Sequence, residues 1–258
     1  MSGRGTVYVR RDVWSLAPDD PIIDAYTNAV KRMRERPPDD PTSWTYQAAM
    51  HGTHAKPNKP EWNGCQHGTW FFLPWHRMFL FFFERIVRAA VAEGGGPADW
   101  ALPYWNYGVG GERAELPLAF RSPTLPAGEP NPLCVAERAA GMNNGKGTIP
   151  EGAGSPAKAL DRPQFIGKAE FGGDRTEPAQ FSESGGEVEE TPHNVRGVLD
   201  LTYLAVPCAF LSVAYIYPGA HPVHGIPAHD VQSPAAAISG RGPQEPQRQP
   251  NLELASPC

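Results

Sequence analysis

The sequence predicts a mainly α fold with long coil segments between its helices. Three observations carry that reading. Apolar residues recur at helical spacing in the first fifty residues. An apolar stretch from Pro74 to Glu93 contains no glycine and ends abruptly at Gly94-Gly95-Gly96. Proline and glycine are abundant, 29 and 27 of 258 residues, and they gather outside these stretches. Aromatic and aliphatic residues are plentiful, so that excess predicts ordered loops rather than a disordered chain.

The first helix is expected over residues 20–35. Asp19 and Asp20 can cap it and Pro21 suits its first turn. Ile22, Ile23, Tyr26, Ala29, Val30 and Met33 form its apolar face, and ERPPDDP stops it. A second helix is expected over 43–54, starting after Thr42 or Ser43 and running toward His51. HAKPNKPEWNGC reads as a loop. The third helix, 74–93, is apolar almost all round, which places it at the centre of the fold. LPYWNYG should follow as an extended, buried stretch, and residues 108–190 as coil. So long a coil inside a domain is expected to serve function or to pack in an ordered way.

The formal net charge is -5 and no block of lysine or arginine stands out. A nucleic-acid or anionic-membrane partner is therefore not suggested. Two apolar runs, 69–83 and 201–217, fall short of a bilayer span. His76, Arg77 and Glu84 interrupt or bound the first, and Pro207 breaks the second. No apolar segment follows the basic residues of MSGRGTVYVRRDVW, so no secretory signal is visible. Cys65, Cys134, Cys208 and Cys258 are scattered, with no CxxC pair. That pattern leans toward the cytoplasm, although a removed leader or export with a partner would leave the same sequence. Nothing in the sequence bears on oligomeric state.

The chemistry is expected from the histidines, at 51, 54, 67, 76, 193, 221, 224 and 229. His76 sits in the apolar segment FFLPWHRMFLFFF, where a lone histidine would ordinarily be a core residue bonded to a backbone carbonyl. It has company. His67 lies in the loop feeding the same helix, and His51 falls at the expected end of the preceding one. Two antiparallel helices and their connection can bring three imidazoles together, a set that suits copper, with zinc as the other metal able to use it.

From His67 to Glu84 the chain reads HGTWFFLPWHRMFLFFFE. This stretch resembles the copper A signature of the tyrosinase and polyphenol oxidase family of type 3 copper proteins. The His67–His76 spacing, Phe72, the Trp75-His76-Arg77 triplet and Glu84 carry the likeness, and His51 stands where the first ligand is expected. The flanks SWTYQAAMHG and WALPYWNYG agree, and the resemblance runs from about residue 7 to residue 200.

The resemblance implies an antiparallel core of four-helix-bundle type around two coppers, each held by three histidines. It implies dioxygen and a phenolic small molecule as reactants. The activity would be oxidation of o-diphenols to o-quinones, some members first hydroxylating monophenols. It assigns His51, His67 and His76 to copper A. It also makes Cys65 a candidate for a thioether to the ring of His67, the alternative being a plain thiol. His54 is expected near the site or at the surface rather than as a ligand, and Arg77 and Glu84 are expected to support the helix.

For copper B, EETPHN at 189–194 resembles the opening of the second triad, which makes His193 its first ligand. Four residues later, where a second histidine is expected, stands Gly197. Nothing downstream resembles the usual third-ligand helix. The composition also changes near residue 200: residues 201–258 hold nine prolines, no lysine and five charged residues. The division expected is therefore a copper-binding domain over 1–200 and an atypical Pro-rich tail over 201–258. A frameshift, a truncated or decayed relative, and true divergence all fit that tail. His221, His224 and His229 read as loop histidines, with ligation of a metal the other possibility. One copper, rather than the family's two, is the expected load.

Overall fold

The structure is a computed structural model that describes residues 7–51, 59–135, 141–175 and 186–190. Among these residues the regular structure is helical, with isolated bridges and no strand. Helix α1 spans Pro21–Glu35, α2 Trp44–His51 and α3 Phe72–Glu93, while α4, Leu118–Arg121, and α5, Ala157–Leu160, are single turns within the coil.

Each long helix starts and stops for a local reason. The Asp20 carboxylate accepts the Ile22 N–H at 2.9 Å, and Pro21 occupies a position that needs no donor. The Ser43 hydroxyl, fully buried, accepts the Tyr46 N–H at 3.0 Å and so caps α2. Helix α2 is described to His51, and the expected extension to residue 54 lies outside the described residues. Helix α3 begins two residues earlier than Pro74, its entry braced by the Thr69 hydroxyl on the Phe71 N–H, and ends at Gly94.

Helices α2 and α3 run antiparallel. Trp44, at the start of α2, meets Phe83 with ring centroids 6.0 Å apart, while His51, at its end, meets His76 at 5.6 Å. Tyr26, Ala29, Val30 and Met33 of α1 pack with Phe72, Phe83, Val87 and Val91 of α3 in one core. The stretch after α3 closes it: Trp100, Leu102 and Trp105 are buried, and the Trp100 indole N–H donates to the Ile22 carbonyl at 3.0 Å. Glu84, nearly buried on α3, pairs with Arg88 at 2.6 Å and with Arg10 of the N-terminal stretch.

Helix α3 is central on one side only. Phe79 and Phe83 are buried, yet Met78 and Phe81 are each 51% exposed and Phe82 49%. Apolarity all round had predicted burial all round. Instead α1, α2 and the coil at 100–105 cover a single flank, because each lies against the same side of the cylinder. No helix among the described residues is long and apolar enough to cross a membrane.

Candidate metal centre

Three elements deliver the candidate ligands. His51 is the last residue of α2, His67 belongs to the connection, and His76 lies in the first turns of α3. Their rings converge: centroids are 5.6 Å apart for His51 and His67, 5.6 Å for His51 and His76, and 5.1 Å for His67 and His76. One potential ligand atom from each of these, together with the Cys65 sulfur, all lie within 4.8 Å of one another.

The orientation of His76 has a clear cause. Its Nδ1 is 2.7 Å from the Phe72 carbonyl one turn earlier, and a carbonyl can only accept. Nδ1 therefore carries the proton, and Nε2 is the basic nitrogen, 3.2 Å from the Cys65 sulfur. The backbone bond expected of a core histidine and the ligand geometry are thus both present, one on each nitrogen. His51 presents a buried Nε2 with no hydrogen-bond partner. Burial pushes the His51 pKa down to about 4, so the ring is neutral near pH 7 and its nitrogen available to a cation. An unpaired buried nitrogen aimed into a cluster of imidazoles fits a metal ion. The donors are those copper and zinc prefer.

Cys65 sits inside this group. Its sulfur is 3.4 Å from His67 Nδ1 and 3.8 Å from Nε2, so it faces the ring edge between the two nitrogens. Burial raises the thiol pKa, and the Glu189 charge raises it further.

Glu189 is the residue that the sequence reading passed over. It is 2% exposed, and both its oxygens accept the Gly68 N–H, at 3.0 and 2.8 Å. Gly68 has a φ of +64°, a conformation natural to glycine, directly after His67. A buried carboxylate from 121 residues away thus holds the loop that carries His67. Its position four residues before His193 in EETPHN was the available signal. His193 itself, His54 and the tail histidines His221, His224 and His229 lie outside the described residues. Arg77 is exposed and Glu84 serves the ion pairs above.

Beside the cluster runs an apolar groove of about 580 Å³ between α2 and α3, lined by Met50, Gln66, Trp75, Met78, Phe79 and Phe82 among others. Trp75 and Phe79 also touch the His51 ring, at 6.2 and 6.4 Å between centroids.

Helices bringing three histidines together in this order define a helical metal-centre fold of a known kind. The common central domain of tyrosinase matches residues 41–199, more than half of the chain, and the chain belongs to the tyrosinase family. A tyrosinase of Hahella sp. (strain CCB-MM4) is 36% identical over 218 residues, which is 72% of this chain and 45% of that protein. The chloroplastic polyphenol oxidase A1 of Vicia faba is 31% identical over 120 residues, 45% of this chain and 18% of its own length. The chain thus spans less than half of these relatives. Among solved structures, latent apple tyrosinase superposes with a TM-score of 0.54 at 24% identity, over 74% of this chain and 43% of that one. Grenache (Vitis vinifera) polyphenol oxidase gives 0.56 at 20% identity, over 84% and 68%. At these identities the structural likeness speaks for the fold.

Proposed function

We propose that His51, His67 and His76 hold one copper, and that the activity belonging to this site is the family's oxidation of phenols and o-diphenols to o-quinones with dioxygen. The observation that carries the reading is the buried convergence of three imidazoles with His51 Nε2 unpartnered. Copper, when bound, supplies the redox chemistry that dioxygen requires. The chain's own residues do the rest. The Phe72 carbonyl sets the tautomer of His76, Glu189 holds the His67 loop, and Phe72, Trp75 and Phe79 wall the site with apolar surface. The apolar groove alongside is roomy enough for a phenol ring. His193 is assigned to the second copper by its place in EETPHN.

A second reading has its own observation. Gly197 stands where the second copper B histidine is expected, and no third-ligand motif follows. A copper with His193 alone would be weakly held, since each missing ligand removes a bond and a geometric restraint. On this reading the chain is a non-catalytic relative with a single copper, residues 1–200 forming the metal-binding unit. Copper per chain together with catechol oxidation separates the two. About one copper and negligible oxidation is the expected result for this chain. Two coppers with turnover would mean that His221, His224 or His229 complete the site, and single alanine variants would show which. No copper in either experiment would end both readings.

A further inference from the structure

We propose that Cys65 is a fourth donor of this centre, so that the described cluster is a closed site of three nitrogens and one sulfur for a soft or borderline metal ion. The inference rests on the reading that the three histidines hold one metal, and goes beyond it by changing both the donor set and the metal it favours.

Distances carry the argument. A tetrahedral ion with metal–nitrogen bonds of about 2.0–2.1 Å and a metal–sulfur bond of about 2.3 Å separates each nitrogen from the sulfur by about 3.5 Å. The Cys65 sulfur stands 3.2 Å from His76 Nε2 and 3.4 Å from His67 Nδ1, close to that edge on two sides. His51 brings the third nitrogen into the same group, all four ligand atoms lying within 4.8 Å of one another. The His51 nitrogen is also buried without a partner, so it gains a bond when an ion enters. Three imidazoles alone leave a fourth position open, as a reactive centre needs, whereas a sulfur in that position closes it. Thiolate also shifts preference toward copper(I) and zinc.

Binding is a simple exchange. The Cys65 S–H bond breaks, a sulfur–metal bond forms, and the proton passes to solvent, with no electron transferred. Cross-linking to His67 is the competing fate of the same sulfur. It removes one hydrogen from the sulfur and one from the ring carbon, and needs a two-electron oxidant such as dioxygen. A sulfur spent in that way no longer offers a thiolate.

Cobalt(II) added to the full chain, prepared reduced and kept from air, tests this directly. The expected result is a near-ultraviolet thiolate-to-cobalt band. In Cys65→Ser cobalt still binds, the band is lost, one proton fewer is released per ion, and affinity falls at least about 10-fold, the lower end for losing even an outer hydrogen-bonding partner. The other three cysteines remain in that variant, so loss of the band assigns it to Cys65. Cobalt bound to the unaltered chain without the band overturns the proposal and leaves the three-histidine site standing. So does an intact mass two hydrogens light, which shows the sulfur already cross-linked. If the unaltered chain takes no cobalt, and His76→Ala behaves the same, the three-histidine reading falls and this proposal with it.

Discussion

Glu189 shows how a single distant side chain can hold a metal loop in place. A backbone amide bonded to a buried carboxylate is a strong, charge-assisted contact, and here it pins the residue next to His67. Glu189→Ala takes both acceptor oxygens from the Gly68 amide and should cost about 1–3 kcal/mol. A lowered thermal midpoint and faster hydrogen exchange at the Gly68 amide are the expected readings. Glu189→Gln keeps one acceptor oxygen and should recover part of the loss. Unchanged exchange at Gly68 in the alanine variant would show that the loop is held by something else.

Helix α3 serves the molecule differently on its two flanks. The inner flank carries Phe83, fully buried against Trp44 and the core, and His76 toward the centre. The outer flank carries Met78, Phe81 and Phe82, each about half exposed. Truncating a fully buried phenylalanine removes its transfer energy and leaves a cavity. Phe83→Ala should therefore destabilise the chain by about 3–5 kcal/mol. Phe82→Ala, one position away, should cost less than about 1 kcal/mol, since surface changes are small. Urea unfolding of the two variants checks the asymmetry. Equal losses would mean that both flanks are buried in solution.

At the scale of the whole molecule, the centre stores a dependence of stability on pH. The pKa of His51 in the folded, metal-free chain is depressed to about 4 from an ordinary 6.5, because burial disfavours the charged ring. Between those values the unfolded chain binds more protons at this position than the folded one. Stability is therefore fully present above about pH 6.5 and declines as pH falls through 6 and 5 toward 4. The urea midpoint of the metal-free chain should be lower at pH 5 than at pH 7.5. His51→Gln, which cannot titrate, should show a smaller drop. An identical drop in both would place the pH dependence in other groups.

Much of this molecule was legible along the chain because its signals are local. Asp20-Pro21, the 3.6-residue periodicity of α1 and the triple glycine after α3 act within one turn of where they stand, so those boundaries fell within a residue or two. The stretch from His67 to Glu84 pointed to the tyrosinase family, to which the match over 41–199 assigns the chain. What stayed hidden depends on approach in space. Apolarity alone could not say which flank of α3 would be covered, since that turns on where α1, α2 and the coil at 100–105 lie. A count of histidines could not say that Cys65 would stand 3.2 Å from His76, or that Glu189 would reach back to Gly68. The sequence by itself determined the helices, the family and the ligand types, because side-chain chemistry and local periodicity act over a few residues. Only the tertiary structure decided how the donors meet, because that geometry is set by packing between residues far apart in the chain.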